Sequence, residues 1–196
     1  MRRKYITVPN IISLGMIFLV VLFIYLFSRG TQTVKFLSIL LIPTTFFMDW
    51  LDGYVARKYG EETSFGSFVD VVTDRFVEVT MLLYFFSISL IPIWIPLYFI
   101  IRGFITDLIR LKATRNGISV YGMMKSGVGK FIVKSRIMRG ISGGSKIILF
   151  ILLPLLYLHH TPKLFLITYI WLSLTILVNF IRAIPVIYDA KKMKII

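Results

Sequence analysis

Between positions 49 and 74 the chain places four of its six aspartates, Asp49, Asp52, Asp70 and Asp74. On helices, Asp49, Asp52 and Ala56 stand at i, i+3 and i+7 on one face, and Gly66, Asp70 and Asp74 at i, i+4 and i+8 on another. If the chain turns round between them, the two carboxylate pairs meet at one depth. Carboxylates gathered in a low-dielectric site repel one another by several kcal/mol unless cations lie between them, so a divalent metal is the natural partner. The chain has no cysteine and no histidine near these acids, which leaves hard oxygen donors. Such a set suits Mg²⁺ or Mn²⁺ better than Zn²⁺, and Mg²⁺ is commonly held by a few carboxylates together with substrate phosphates. A diphosphate substrate follows: Gly53 and Gly66 let a ligand approach the backbone, and Arg57 offers a planar guanidinium to phosphate oxygens. The competing reading, buried ion pairs with Arg57 and Arg75, leaves two bases against four acids.

The elements that must position these acids are membrane helices. Of 196 residues, 57% are hydrophobic and 16% charged, against about 25% charged in soluble domains. With a mean hydropathy of +0.83, the chain has more apolar surface than a core of this size can hide. The aromatic content of 15%, the 13 glycines without period and the absence of cysteine exclude disorder, collagen and a disulfide scaffold. Six hydrophobic segments, at 10–28, 35–51, 67–88, 91–109, 143–158 and 163–187, predict an all-α integral membrane protein. About six transmembrane helices then surround a cytoplasm-facing polar cavity. The fifth segment either begins as early as about 135 or breaks at Gly140–Gly144. The third is the least apolar, because Asp70, Asp74, Arg75 and Glu78 crowd its first turns, and ionisable residues in a membrane helix point to function.

The net charge of +14 lies between the apolar runs and not on a separate basic domain, which favours membrane topology and phosphate handling over nucleic acid. Arg2, Arg3 and Lys4, the 52–66 and 110–142 stretches and Lys191, Lys192 and Lys194 fall on one side; Arg29, Lys35 and Lys163 fall on the other. The positive-inside rule makes the first side cytoplasmic, with the acidic site and both termini there. The organisation expected is a basic amino-terminal segment 1–9, a six-helix catalytic domain 10–188 in the cell membrane, and a basic tail 189–196. The amino terminus is read as retained and not as a cleavable signal.

The run Asp49-Trp-Leu-Asp52-Gly53-Tyr-Val-Ala56-Arg57, followed by Gly66, Asp70 and Asp74, resembles the signature of the CDP-alcohol phosphatidyltransferases, D-x2-D-G-x2-A-R-x8-G-x3-D-x3-D. Every fixed position matches. The resemblance implies a transferase of phospholipid synthesis that moves the phosphatidyl or archaetidyl phosphate group from a CDP-linked lipid to an alcohol and releases CMP. It also implies two bound metal ions, Mg²⁺ or Mn²⁺, carried by Asp49, Asp52 and Asp70, with Asp74 bridging and acting as general base. Asp52, Gly53, Ala56, Arg57 and Gly66 are expected to line the CDP site. A homodimer in the lipid bilayer, without nucleic acid, completes the expectation.

The acceptor is sought among the bases of 102–146 and the last helix. Most of these serve topology, but Arg102 and Arg182 lie within apolar segments, where a guanidinium calls for an anionic partner, and Lys134 and Arg136 enter the fifth helix at similar depth. These four are the expected acceptor-phosphate residues, favouring glycerol 3-phosphate or inositol phosphate over serine. The glycerophosphate-using branch often carries an arginine in the first helix after a Pro-Asn pair; in Pro9-Asn10-Ile-Ile-Ser-Leu-Gly15-Met16 that base is missing. A different function class, an ion channel or cation transporter built on the acidic cluster, would need its carboxylates across the midplane and not at one membrane side.

Overall fold

Each apolar run forms a helix, since a backbone in hydrocarbon has to satisfy its N–H and C=O groups within its own segment. The computed structural model describes residues 8–59, 64–115, 122, 124 and 127–193. The long helices are α1 (Val8–Arg29), α3 (Leu41–Tyr59), α4 (Ser64–Ser87), α5 (Trp94–Arg115), α7 (Arg136–His159) and α8 (Pro162–Lys192). Between them stand the short α2 (Gln32–Ser38) and the single turn α6 (Gly127–Gly129), which runs into a π-helical turn at Lys130–Lys134. Among the described residues there is no strand.

Four stretches are long and apolar enough to cross a membrane: Ile11–Arg29, Gln32–Tyr59, Ile137–His159 and Pro162–Lys192. Helices α4 and α5, of 24 and 22 residues, rise about 36 and 33 Å, enough to span, but carry more charge. Large side chains such as Phe18, Tyr25 and Phe104 are more than 60% exposed, as lipid-facing positions require.

The helices extend beyond the hydropathy segments because backbone hydrogen bonding continues through charged turns. Thus α3 carries Arg57 and Lys58 in its last turn, where they complement the helix dipole. The fifth segment is continuous from Arg136, without a break at the glycines. Helix α8 runs through Asp189 and Ala190, both fully buried, so the segment read as a basic tail begins inside a helix. The second segment is interrupted instead at Ile39–Leu40. Pro43 has no N–H to offer Ile39 O, which accepts at 3.1 Å from Ile42 N, and the Thr44 and Thr45 hydroxyls bond the carbonyls of Leu40 and Leu41 at 2.8 Å.

The chain divides into two compact units, Met1–Ile93 with Leu153–His159, and Trp94–Leu152 with His160–Ile196. The division cuts α7 beside Pro154. In the first unit α1 packs on α3 and α4, and Met16, Phe23, Phe27, Leu82 and Phe85 are nearly sealed from solvent. At one end of this unit Lys35 Nζ lies 5.9 Å from the Phe27 ring centroid and 5.3 Å from that of Tyr157, tying α2 to α1 and α7. In the second unit α5 packs on α8, and Ile109, Ala113, Met124, Val133, Val186 and Ala190 form a cluster. There α7 and α8 are joined by buried polar groups: Ser142 Oγ donates to Asn179 Oδ1 at 3.1 Å, and Trp171 Nε1 donates to Ser145 O at 2.9 Å.

Candidate metal and diphosphate site

The acidic site lies wholly in the first unit, on the carboxy-terminal half of α3 and the first turns of α4. Helix α3 is held close to α1 at this level: a Cβ built on Gly15 would stand 3.3 Å from Met48 Cε, one residue before Asp49. Asp49 from α3 and Asp70 and Asp74 from α4 each offer a carboxylate oxygen, and the three oxygens lie within 4.8 Å of one another. Asp49 and Asp70 are half-buried and Asp74 is exposed. Around an octahedral cation bonded at about 2.1 Å, ligand oxygens stand about 3.0 Å apart when adjacent and about 4.2 Å when opposite. The set therefore fits one cation after a small contraction, and its donors are the hard oxygens that Mg²⁺ or Mn²⁺ takes.

Asp52, one turn beyond Asp49, stands differently. It is only 4% exposed, and its Oδ2 accepts a 2.6 Å hydrogen bond from Ser13 Oγ of α1. Ser13 was not among the sequence candidates. The signal available was a small polar residue within an apolar helix, which is too common to identify a partner 39 positions away.

The guanidinium of Arg57 lies against Gly53. A Cβ at residue 53 would stand 3.3 Å from Nη1 and 3.7 Å from Nη2, so the missing side chain leaves room for this base to lie close along its own helix. Ala56 and Gly66 are half-buried on α3 and α4. Arg75, the other base near the acids, forms an ion pair with Glu78 one turn on.

The four bases expected to hold an acceptor phosphate belong to the second unit. Arg102 stands on α5 and Arg182 on α8, both half-buried. Lys134 closes the π-helical turn and Arg136 begins α7, but their side chains lie outside the described residues. A base outside this set, Lys146 of α7, lies with its Nζ 5.7 Å from the ring centroid of Phe99, which precedes Arg102 by one turn of α5.

A family model described as CDP-alcohol phosphatidyltransferase matches residues 6–181. Among curated proteins, the chain is similar to the CDP-diacylglycerol–glycerol-3-phosphate 3-phosphatidyltransferase of Haemophilus influenzae, at 32% identity over 75 residues, 38% of this chain and 40% of that protein. It is similar to the proteins of the same name from Wigglesworthia glossinidia brevipalpis, at 33% over 74 residues, and Escherichia coli K12, at 30% over 77 residues. These matches cover 38% and 39% of this chain and 41% and 42% of the relatives, so the chain spans about two fifths of the length of the curated proteins it matches.

Proposed function

Because this chain belongs to the CDP-alcohol phosphatidyltransferase family, we propose that it transfers a phosphatidyl group from CDP-diacylglycerol to glycerol 3-phosphate, releasing CMP. The observation that carries the reading is the convergence of Asp49, Asp70 and Asp74 within 4.8 Å on the helix pair bearing the family signature. The acceptor rests on the names of the relatives and on the bases at Arg102, Lys134, Arg136 and Arg182.

Asp49, Asp52, Asp70 and Asp74 would hold two divalent cations, Mg²⁺ or Mn²⁺. Bound there, such cations would neutralise the donor diphosphate and stabilise CMP as the leaving group. Arg57, lying over Gly53, binds diphosphate oxygens, and the small residues Gly53, Ala56 and Gly66 admit the nucleotide close to the backbone. The acceptor hydroxyl attacks the lipid-proximal phosphorus, the phosphoanhydride bond to CMP breaks, and the hydroxyl proton passes to an Asp74 carboxylate oxygen. The bases of the second unit hold the acceptor by its phosphate.

Six spans, with the site and both termini cytoplasmic, follow from the distribution of bases, and the family's habit favours a homodimer. A cysteine placed at exposed Lys130 of this cysteine-free chain should label from the cytoplasmic side of oriented vesicles; labelling only from the other side reverses the topology. The reaction is tested by incubating the purified protein in lipid with CDP-diacylglycerol and, separately, glycerol 3-phosphate, an inositol phosphate or serine, and following CMP. Release with glycerol 3-phosphate alone is expected. Release with serine alone rejects the acceptor and keeps the transferase, and no release with any of them rejects the reading.

A further inference from the structure

The buried face of α1 is apolar along Met16, Val20, Phe23 and Phe27, and it ends in a hydroxyl, Ser13, that is itself only 2% exposed. A buried hydroxyl in a membrane helix is costly unless it is hydrogen-bonded. Ser13 donates to Asp52 Oδ2, and the 2.6 Å separation lies in the range of an O–H donor bonded to an ionised carboxylate. The helices do not need this bond to meet, because Met48 already packs against Gly15 two residues further along α1. What the bond adds is orientation. It fixes one oxygen of the most buried acid of the signature and leaves the other, Oδ1, as the atom that can face a cation.

We infer that Ser13 is a positioning residue for the cation site: its hydroxyl holds Asp52 in a single orientation so that this acid joins Asp49, Asp70 and Asp74 as a ligand. The inference rests on the proposed use of the four aspartates as metal ligands. Positioning acts before substrate arrives, so its first consequence is the affinity for the metal alone.

The test is Mn²⁺ binding to the purified full chain in detergent, followed through the electron paramagnetic resonance signal of free Mn²⁺, together with thermal unfolding without metal. Ser13→Ala is expected to weaken Mn²⁺ binding about tenfold while the metal-free unfolding temperature stays near wild type, the fold-change being that of losing one charge-assisted hydrogen bond. Ser13→Thr keeps the hydroxyl and is expected to restore the affinity. Unchanged Mn²⁺ affinity in Ser13→Ala overturns the inference. So does lowered affinity that falls in step with the metal-free unfolding temperature and is not restored by Ser13→Thr, which would make Ser13 a link between helices and nothing more. A wild-type protein that binds no Mn²⁺ removes the metal reading itself and this inference with it, an outcome distinct from a wild type that binds and a variant that binds equally well.

Discussion

The two units handle charge in opposite ways. In the first, the acids come from two helices consecutive along the chain, α3 and α4, and oxygens of Asp49, Asp70 and Asp74 are already gathered within 4.8 Å. In the second, the bases come from α5, from the junction ahead of α7 and from α8, separated by up to 80 positions, and a buried hydroxyl and amide join α7 to α8. A site made by neighbouring segments can be written as a fixed spacing. One made by distant segments is written only in the packing that brings them together. On the function proposed above, the first arrangement would serve the diphosphate and its cations and the second the acceptor, where one base could change at a time.

The sharpest way to break this contrast is at Asp74. Asp74→Asn keeps the size, removes the base and weakens a cation ligand, and the turnover rate is expected to fall by roughly 10²-fold or more. Saturation with CDP-diacylglycerol should change less than turnover; a variant with a wild-type rate would remove Asp74 from the chemistry. Chelation should act on the same unit, ending CMP release until Mg²⁺ or Mn²⁺ is returned.

At Arg182 the effect should fall on the other substrate. Arg182→Gln is expected to raise the glycerol 3-phosphate KM by roughly 10- to 150-fold, the worth of one charge-assisted hydrogen bond to phosphate, and to leave the donor KM near wild type. Equal shifts in both constants would erase the division of labour between the units. If Arg182 only reaches for lipid headgroups, the kinetic constants stay as they are and expression changes.

Gly53→Ala asks for less. The new methyl would meet the far end of the Arg57 side chain, which can move by a few tenths of an ångström, so a hydrogen bond is weakened and not lost. The donor KM should rise by less than about tenfold, below the 1.5 kcal/mol of a whole charge-assisted bond, with kcat kept. A larger loss would mean that the arginine is more tightly placed than its exposed position implies.

The smallest effect is structural. Asn179, fully buried, accepts from Ser142 and donates to Thr175 O at 2.8 Å. Asn179→Ala should cost about 0.6–1.7 kcal/mol, the range for hydrogen bonds between membrane helices, measured by unfolding in a mixed detergent. Mn²⁺ binding in the first unit should not change; a matching loss there would show the two units to be energetically one.

Much of the first unit was legible in the sequence. The acids share faces because helical periodicity is local, and the helices exist because apolar runs of membrane length have no other way to satisfy their backbones. The same reasoning gave helix α7 only as one of two alternatives, since glycines mark both breaks and close packing, and it missed the interruption at Ile39–Leu40 although Pro43 was in view. It ended the last helix early because hydropathy fades at charged residues while hydrogen bonding does not. Only the tertiary structure decided that Ser13 reaches Asp52 across 39 positions and Ser142 reaches Asn179 across 37. A serine carries the same donor whether it back-bonds to its own helix, as Thr44 and Thr45 do, or crosses to another. Which it does depends on what the neighbouring helix places opposite, and that is fixed by the packing of apolar faces whose pairing leaves no periodic trace in the chain.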